Sequence, residues 1–315
     1  MKKQKKEHKP IDLTKIKTYS IKRRKNLVNI GQFGKPIEFK NFNKFIDSLP
    51  NILAANDFRN VIDNIAKAHN KGRQVVLALG AHVIKCGLSP IVIDLMKRGI
   101  VTAVAMNGSG AIHDYEISLI GETSEDVSHS LKDGTFGMAK ETAEAIQAAA
   151  SVSESGLGKA LGEKIIKDKN KHKRHSILAE GVRLNIPVTV HVAIGTDIIH
   201  MHPCVSGGDM GESSHVDFKK LCSVVSELEG GVWLNVGSAV IMPEVFLKAI
   251  TVARNLGKKI KNFTTVNMDM IQHYRPRTNV VKRPTAHGYS ITGHHEIMLP
   301  VLRLGILSKL CKKFS

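Results

Sequence analysis

Residues 75–110 read VVLALGAHVIKCGLSPIVIDLMKRGIVTAVAMNGSG. The apolar runs Val75 to Leu79 and Ile100 to Met106 bracket a segment punctuated like a helix. Ser89 stands at its N-cap, Pro90 in its first position and Gly99 just past its end. The serine supplies an oxygen to free amides, the proline needs no hydrogen-bond donor there, and glycine tolerates the left-handed stop. Strand, helix and strand in that order predict a βαβ unit whose strands are parallel neighbours joined by a right-handed crossover. The first run ends in Gly80-Ala81-His82 and the second in Asn107-Gly108-Ser109-Gly110.

The same punctuation occurs three more times. Val188 to Ile194 runs into Gly195-Thr196-Asp197, Val232-Trp233-Leu234 into Asn235-Val236-Gly237-Ser238, and Phe263 to Val266 into Asn267-Met268-Asp269. Helical patterns fall between and around them, at 137–150, 156–168, 243–256 and 294–310. Apolar runs bounded by turn residues and separated by helices predict an α/β protein built on a buried parallel sheet. Ligands of such sheets sit outside the carboxyl ends of the strands, so the five polar strand ends outline a binding edge. Upstream, Phe42, Phe45, Ile46 and Leu49, then Phe58, Val61, Ile62 and Ile65, predict a helical element over about 42–70. Thr123-Ser124-Glu125-Asp126 reads as a capping box.

The chain has 315 residues, 42% of them hydrophobic, and no apolar run of the roughly 18 residues a membrane-spanning helix needs. Its lysine-rich start has no adjoining apolar stretch, so no secretory signal is expected. Cys86, Cys204, Cys222 and Cys311 are scattered without disulfide or zinc-ribbon spacing, which suits a reducing cytoplasm. The net charge of +18 is concentrated: residues 1–25 carry +9 and residues 159–174 carry +5. The first segment reads as a basic, disordered arm and the second, containing KDKNKHKRH, as an exposed loop. A solvated surface explains both; nucleic acid would be reached through them alone, since 5% aromatic residues leave little for base stacking. The expected organisation is an arm over 1–25 and a single α/β domain over 26–315.

Among the edge residues, Asn107-Gly108-Ser109-Gly110 is the densest candidate. Its glycines permit close approach and the amides of a following helix favour phosphate, although the spacing matches neither the dinucleotide fingerprint nor the phosphate loop of nucleotide hydrolases. His113 and Asp114 add acid and base capacity beside it, whereas Glu116 is explained by the helix dipole. Asp197 ends a strand, where a carboxylate can orient a ribose or an amine. His200 and His202 lie two apart, so in an extended segment they share a side and offer an alternative metal site. Arg275, Arg277 and Lys282 occupy a long irregular stretch, the arginines suited to an anion and Lys282 to an imine. His294 and His295 precede the last helix, where capping accounts for them.

The stretch from Val75 to Glu116 resembles the first βαβ unit of the deoxyhypusine synthase family. IPVTVHVAIGTD (186–197) is similar to that family's strand ending in Thr-Asp-Gly, and GGVWLNVGSAV (230–240) to its glycine-rich strand end. The likeness runs in order over about residues 70–310. It implies a Rossmann-like parallel sheet flanked by helices on both faces, a homotetramer, and NAD bound near subunit interfaces. It also implies NAD-dependent transfer of an aminobutyl group from a polyamine such as spermidine, through a lysine imine, to a protein lysine or a small amine. By position, Gly80, His82, Asn107, Gly108, Gly110, Gly237 and Ser238 would hold the cofactor. Asp197 would hold the amine, His113 or Asp114 would move protons, and Lys282 would form the imine.

The sequence departs from the family in three places. The acidic run after the second loop is reduced to His113-Asp114, and Met242-Pro243 replaces a histidine pair. RPRTNVVKRP (275–284) stands where the family has Gly-Ser-Asp-Ser-Gly before its lysine. Two other functions fit the residues: a metal-assisted enzyme using His200, His202 and His113, or a non-enzymatic nucleotide- or RNA-binding protein using the basic arm and loop.

Overall fold

Alternation along β2 (Val75–Leu79) decides the layering. Val75, Leu77 and Leu79 point to one face of the sheet and Val76 and Ala78 to the other, and all five are buried. A strand buried on both faces needs helices on both, and the computed structural model, which describes residues 13–33, 46, 49, 52–152 and 154–311, supplies them. On the first face pack Leu53–Asn70, Ser89–Lys97, Gly108–Ile120, Ile177–Leu184 and His295–Cys311. On the second lie Gly207–Ser226 and Ile241–Asn255, where Trp233 stacks on Phe246 with ring centroids 4.1 Å apart.

The sheet has six parallel strands: β2, β3 (Ala103–Asn107), β5 (Val188–His191), β6 (Val232–Val236), β7 (Thr264–Asp269) and β8 (His287–Thr292). Their spatial order is β5-β3-β2-β6-β7-β8. Numbered along the chain, that is 3-2-1-4-5-6, the doubly wound order of Rossmann-type sheets. The expected fold is therefore present, with one more strand than the apolar runs show. A separate ribbon pairs β1 (Asn26–Asn29) antiparallel with β4 (Glu122–Glu125).

Several local expectations are corrected. Thr123, Ser124 and Glu125 form a strand rather than a cap, because β1 pairs with them; Asp126 caps the short turn that follows. Leu88, not Ser89, occupies the N-cap before Ser89–Lys97, and the Ser89 hydroxyl is buried without a partner among the described residues. The stretch around Lys282 is helical: a turn at Tyr274–Pro276 continues as a π-helix over Arg277–Lys282. The arm ends before residue 25, since Ile21 is fully buried and Arg24 is 8% exposed. Residues 1–12 and most of 42–51 lie outside the described residues, so the first part of the predicted helical element does too; its second part is the helix Leu53–Asn70. The basic loop is exposed at its lysines but fixed by Asn170, whose amide donates to Ser118 Oγ at 2.8 Å. Among the described residues no helix is long and apolar enough to cross a membrane.

Candidate functional site

The strand order reverses between β2 and β6. After β2 the chain turns to the first face and after β6 to the second, which leaves a crevice between the two strand ends. Gly80 and Gly237 stand at its floor. The Gly80 N–H donates to the Val236 carbonyl at 2.8 Å, and a Cβ on Gly80 would lie 1.8 Å from the Gly237 carbonyl oxygen. Gly237 has φ +67, and a Cβ there would meet His295 Nε2 at 2.8 Å. Ser238 Oγ accepts from the Met242 N–H at 3.1 Å, in the first turn of Ile241–Asn255. Beneath, Asn235 and Asn267 are in register on β6 and β7 and joined by a 2.7 Å hydrogen bond, so the crevice floor is rigid.

Two histidines face each other above this floor. His82 is exposed, and its ring lies 5.7 Å from that of His295, which is 1% exposed. His295 Nε2 is 3.9 Å from Asp269 Oδ1, and Nδ1 is buried with no partner among the described residues. Burial holds His295 below the ordinary histidine range, against the raising influence of Asp269, so its ring is neutral near pH 7. Its position was not legible in the sequence. It opens the last helix, as a cap would, but β8 carries it back to the crevice.

The second glycine strand end is built differently. Asn107 Oδ1 accepts from the Gly110 N–H at 3.0 Å, and Asp197 occupies the space above Gly108. A Cβ on Gly108 would lie 2.1 Å from Asp197 Oδ2, while Ser109 Oγ donates to Asp197 Oδ1 at 3.0 Å. The Ser109 N–H also bonds this carboxylate. The anion place at the start of Gly108–Ile120 is thus taken by the protein's own side chain. Asp197 is 6% exposed; burial raises its pKa and the bonds from Ser109 and Ala193 oppose that.

Beside this loop opens a cavity of about 250 Å³, walled by Lys85, Ser109, His113, Phe136, Thr196 and Ile198 among others. Lys85 ends the short helix Ala81–Lys85, one turn from His82, so that helix joins the crevice to the cavity. The deeper wall is ionic. Arg24 donates to both oxygens of Glu116, at 3.0 and 2.6 Å, in a buried bidentate pair. Glu116 also accepts from Thr142 and Thr123. Burial opposes ionisation of Glu116, but His113, 3.8 Å away, and Arg24 win and hold it at about 2. His113 Nδ1 is 2.7 Å from Thr123 Oγ. Arg24, Thr123 and Glu116 were not singled out for chemistry in the sequence, where they read as arm, cap and dipole partner.

Four expected participants lie elsewhere. Asp114 is fully buried and turned away from the cavity: it accepts from Ser176 Oγ at 2.5 Å and from the Ile177 N–H at 2.7 Å, anchoring the start of Ile177–Leu184. Burial pushes it up to about 6 despite those bonds. Lys282 is exposed, and the backbone of its neighbour Val281 packs on Gly288 near the start of β8, toward the amino ends of the strands. His200 and His202 do not share an extended side, because Ile198–Met201 is a 3-10 turn. His202 Nε2 bonds the Gly137 carbonyl at 2.7 Å, His200 Nδ1 accepts from the Gly195 N–H at 3.3 Å, and no metal-holding group of three His, Cys, Asp or Glu converges among the described residues. Larger cavities, of about 360 and 420 Å³, open beside Asn185–Thr189 and beside the amino ends of β6–β8, away from the carboxyl edge.

No protein-family model matches the sequence, and no curated protein matches it. Solved structures do share its fold. A Methanococcus maripaludis protein described as LOR/SDH superposes with a TM-score of 0.55 at 18% identity, over 83% of this chain and 71% of that one. AgrE, solved in a ternary complex with ornithine and NAD+, gives a TM-score of 0.52 at 17% identity. This chain is covered over 82% but spans only about a third of AgrE, 34% of its length. An Entamoeba histolytica protein described as a deoxyhypusine synthase is 12% identical, with a TM-score of 0.48 that carries no weight here. At these identities the likeness establishes the fold alone, a parallel α/β sheet.

Proposed function

We propose that this chain is an NAD-dependent enzyme acting on an amine or alcohol. The cofactor would span the crevice between Gly80 and Gly237, and the substrate would lie in the adjoining cavity. One observation carries the reading: the strand order reverses where two glycine backbones touch, leaving an edge without Cβ atoms, the place at which sheets of this order bind dinucleotides. His295 places its Nε2 2.8 Å from where a Cβ on Gly237 would lie, which sets a polar ring nitrogen at the edge of this cradle. Gly80, Gly237, Ser238 and His82 would hold the cofactor. The Ser109 amide would not hold its phosphates, because Asp197 already accepts from it. When bound, NAD+ supplies a hydride acceptor.

The protein's own groups supply the rest. Asp197 fixes the Gly108 turn, Lys85 places a positive charge at the junction of crevice and cavity, and His113 offers a base at the cavity wall. The finer reading, aminobutyl transfer from a polyamine to a protein lysine or small amine in a homotetramer, is the form of this chemistry implied by the sequence resemblance. Lys282, the imine former that the resemblance implies, is exposed near the start of β8 and away from this crevice. A thermal-shift comparison of NAD+, NADP+, FAD and spermidine tests the reading. NAD+ at a hundred times its Kd is expected to stabilise the protein by about 2.7 kcal/mol. No shift with either nicotinamide cofactor would overturn it.

A further inference from the structure

The hydrogen-bond chain behind His113 fixes more than its position. Thr123 Oγ has one proton, and it goes to Glu116 Oε2. Glu116 is held ionised by Arg24, and a carboxylate only accepts. The Thr123 hydroxyl can therefore only accept from the histidine, so the His113 Nδ1, 2.7 Å away, carries the ring proton. Nε2 is left bare. It has no hydrogen-bond partner among the described residues, it is not among the buried unpartnered atoms, and the residue lines the cavity. The 17% exposure of the side chain leaves one edge of the ring accessible.

We propose that His113 Nε2 is the catalytic base of the cavity and that Arg24, Glu116 and Thr123 are its positioning residues. The arrangement follows the logic of a carboxylate-oriented histidine, with a threonine hydroxyl inserted between carboxylate and ring. It also narrows the substrate class to molecules whose oxidised carbon bears an O–H or N–H. The O–H or N–H proton passes to Nε2, making an imidazolium. The nicotinamide cofactor proposed above would supply the acceptor for the hydride of the C–H bond, and the substrate would be left with a C=O or C=N bond. The imidazolium charge faces Glu116 on its own helix, Glu125 on β4, Lys85 on Ala81–Lys85 and Arg24 on the N-terminal segment. Glu116, relayed through Thr123, is its nearest stabilising charge. This inference deepens the proposed function and rests on it for the hydride acceptor alone.

The proton placement is measurable in the free protein. Side-chain nitrogen NMR of the full chain labelled at histidine, with His113→Gln to assign the signal, is expected to show His113 as the Nδ1–H tautomer at neutral pH. Thr123→Ser should keep that tautomer, whereas Thr123→Val should lose it. An Nε2–H tautomer in the native protein, or a Thr123→Val signal identical to native, would overturn the assignment. Thr123→Ser and Thr123→Val leave the Arg24–Glu116 pair in place, so the test does not depend on breaking a buried ion pair. Cofactor binding is read separately by thermal shift, and either result can fail without the other.

Discussion

Gly80 and Gly108 each follow a buried strand and each open a helix, yet they do opposite things. At Gly80 the missing side chain lets one strand end touch another, with the rings of His82 and His295 meeting nearby at a centroid distance of 5.7 Å. At Gly108 the missing side chain admits Asp197, whose carboxylate takes the place an anionic ligand would use. A glycine at a strand end therefore marks a close approach without saying what approaches. In one loop it is the β6 backbone at the crevice floor; in the other it is the protein itself.

This difference can be broken experimentally, beginning with the largest effect. Gly80→Ala places a Cβ 1.8 Å from a backbone oxygen that cannot move without separating β2 from β6. A loss of at least about 4 kcal/mol, or no folded protein, is expected in chemical unfolding; a native-like midpoint would show that the two strand ends are not in contact. Arg24→Met tests the ionic wall of the cavity and should cost about 3 kcal/mol, because Glu116 would be left buried and charged.

The helix that starts at Gly108 also carries a pH signature. Burial raises Asp114 to about 6 from its ordinary 3.8, and Asp217 likewise to about 6. A raised carboxylate favours folding most when protonated, so both contributions are present below about pH 4 and are lost as pH rises through about 6. Each is on the order of 3 kcal/mol, and Asp114→Asn should flatten its share of the slope between pH 4 and 7 in denaturant titrations. Glu116 has the opposite sign: its contribution is complete above 4.5 and falls away as pH drops toward 2. A slope unchanged in Asp114→Asn would show that Asp114 titrates normally. The smallest effect is Asp197→Ser, which should cost about 1 kcal/mol and free the Ser109 amide. Inorganic sulfate should then stabilise the variant but not the native protein. Equal stabilisation of both would mean that the second loop is not self-filled.

The fold was largely legible because β2, β3, β5, β6 and β7 are apolar runs that end in turn residues. β8 was not, since HGYSIT is a half-exposed edge strand with only Tyr289 and Ile291 to mark it. The β1–β4 ribbon was hidden because Thr123 and Glu125 turn polar side chains toward buried partners, a pattern that also suits a cap. Arg24 sat unremarked in a run of lysines and arginines. The site was legible only where chain order carries it. Gly80, Gly237 and His113 come to the carboxyl edge with their strands, whereas His295 returns there through β8 and Lys282 is carried away from it. The resemblance to deoxyhypusine synthase pointed to the right sheet and to Asp197, but packing decides that Asp197 faces a glycine backbone.

The central claim, that the crevice between β2 and β6 holds a nicotinamide dinucleotide, is tested most directly by hydrogen exchange of the full chain with and without NAD+. The account predicts slowed exchange concentrated at residues 79–85 and 236–241, with little change at 108–110. Unchanged exchange at both crevice segments, or protection confined to 108–110, would contradict it.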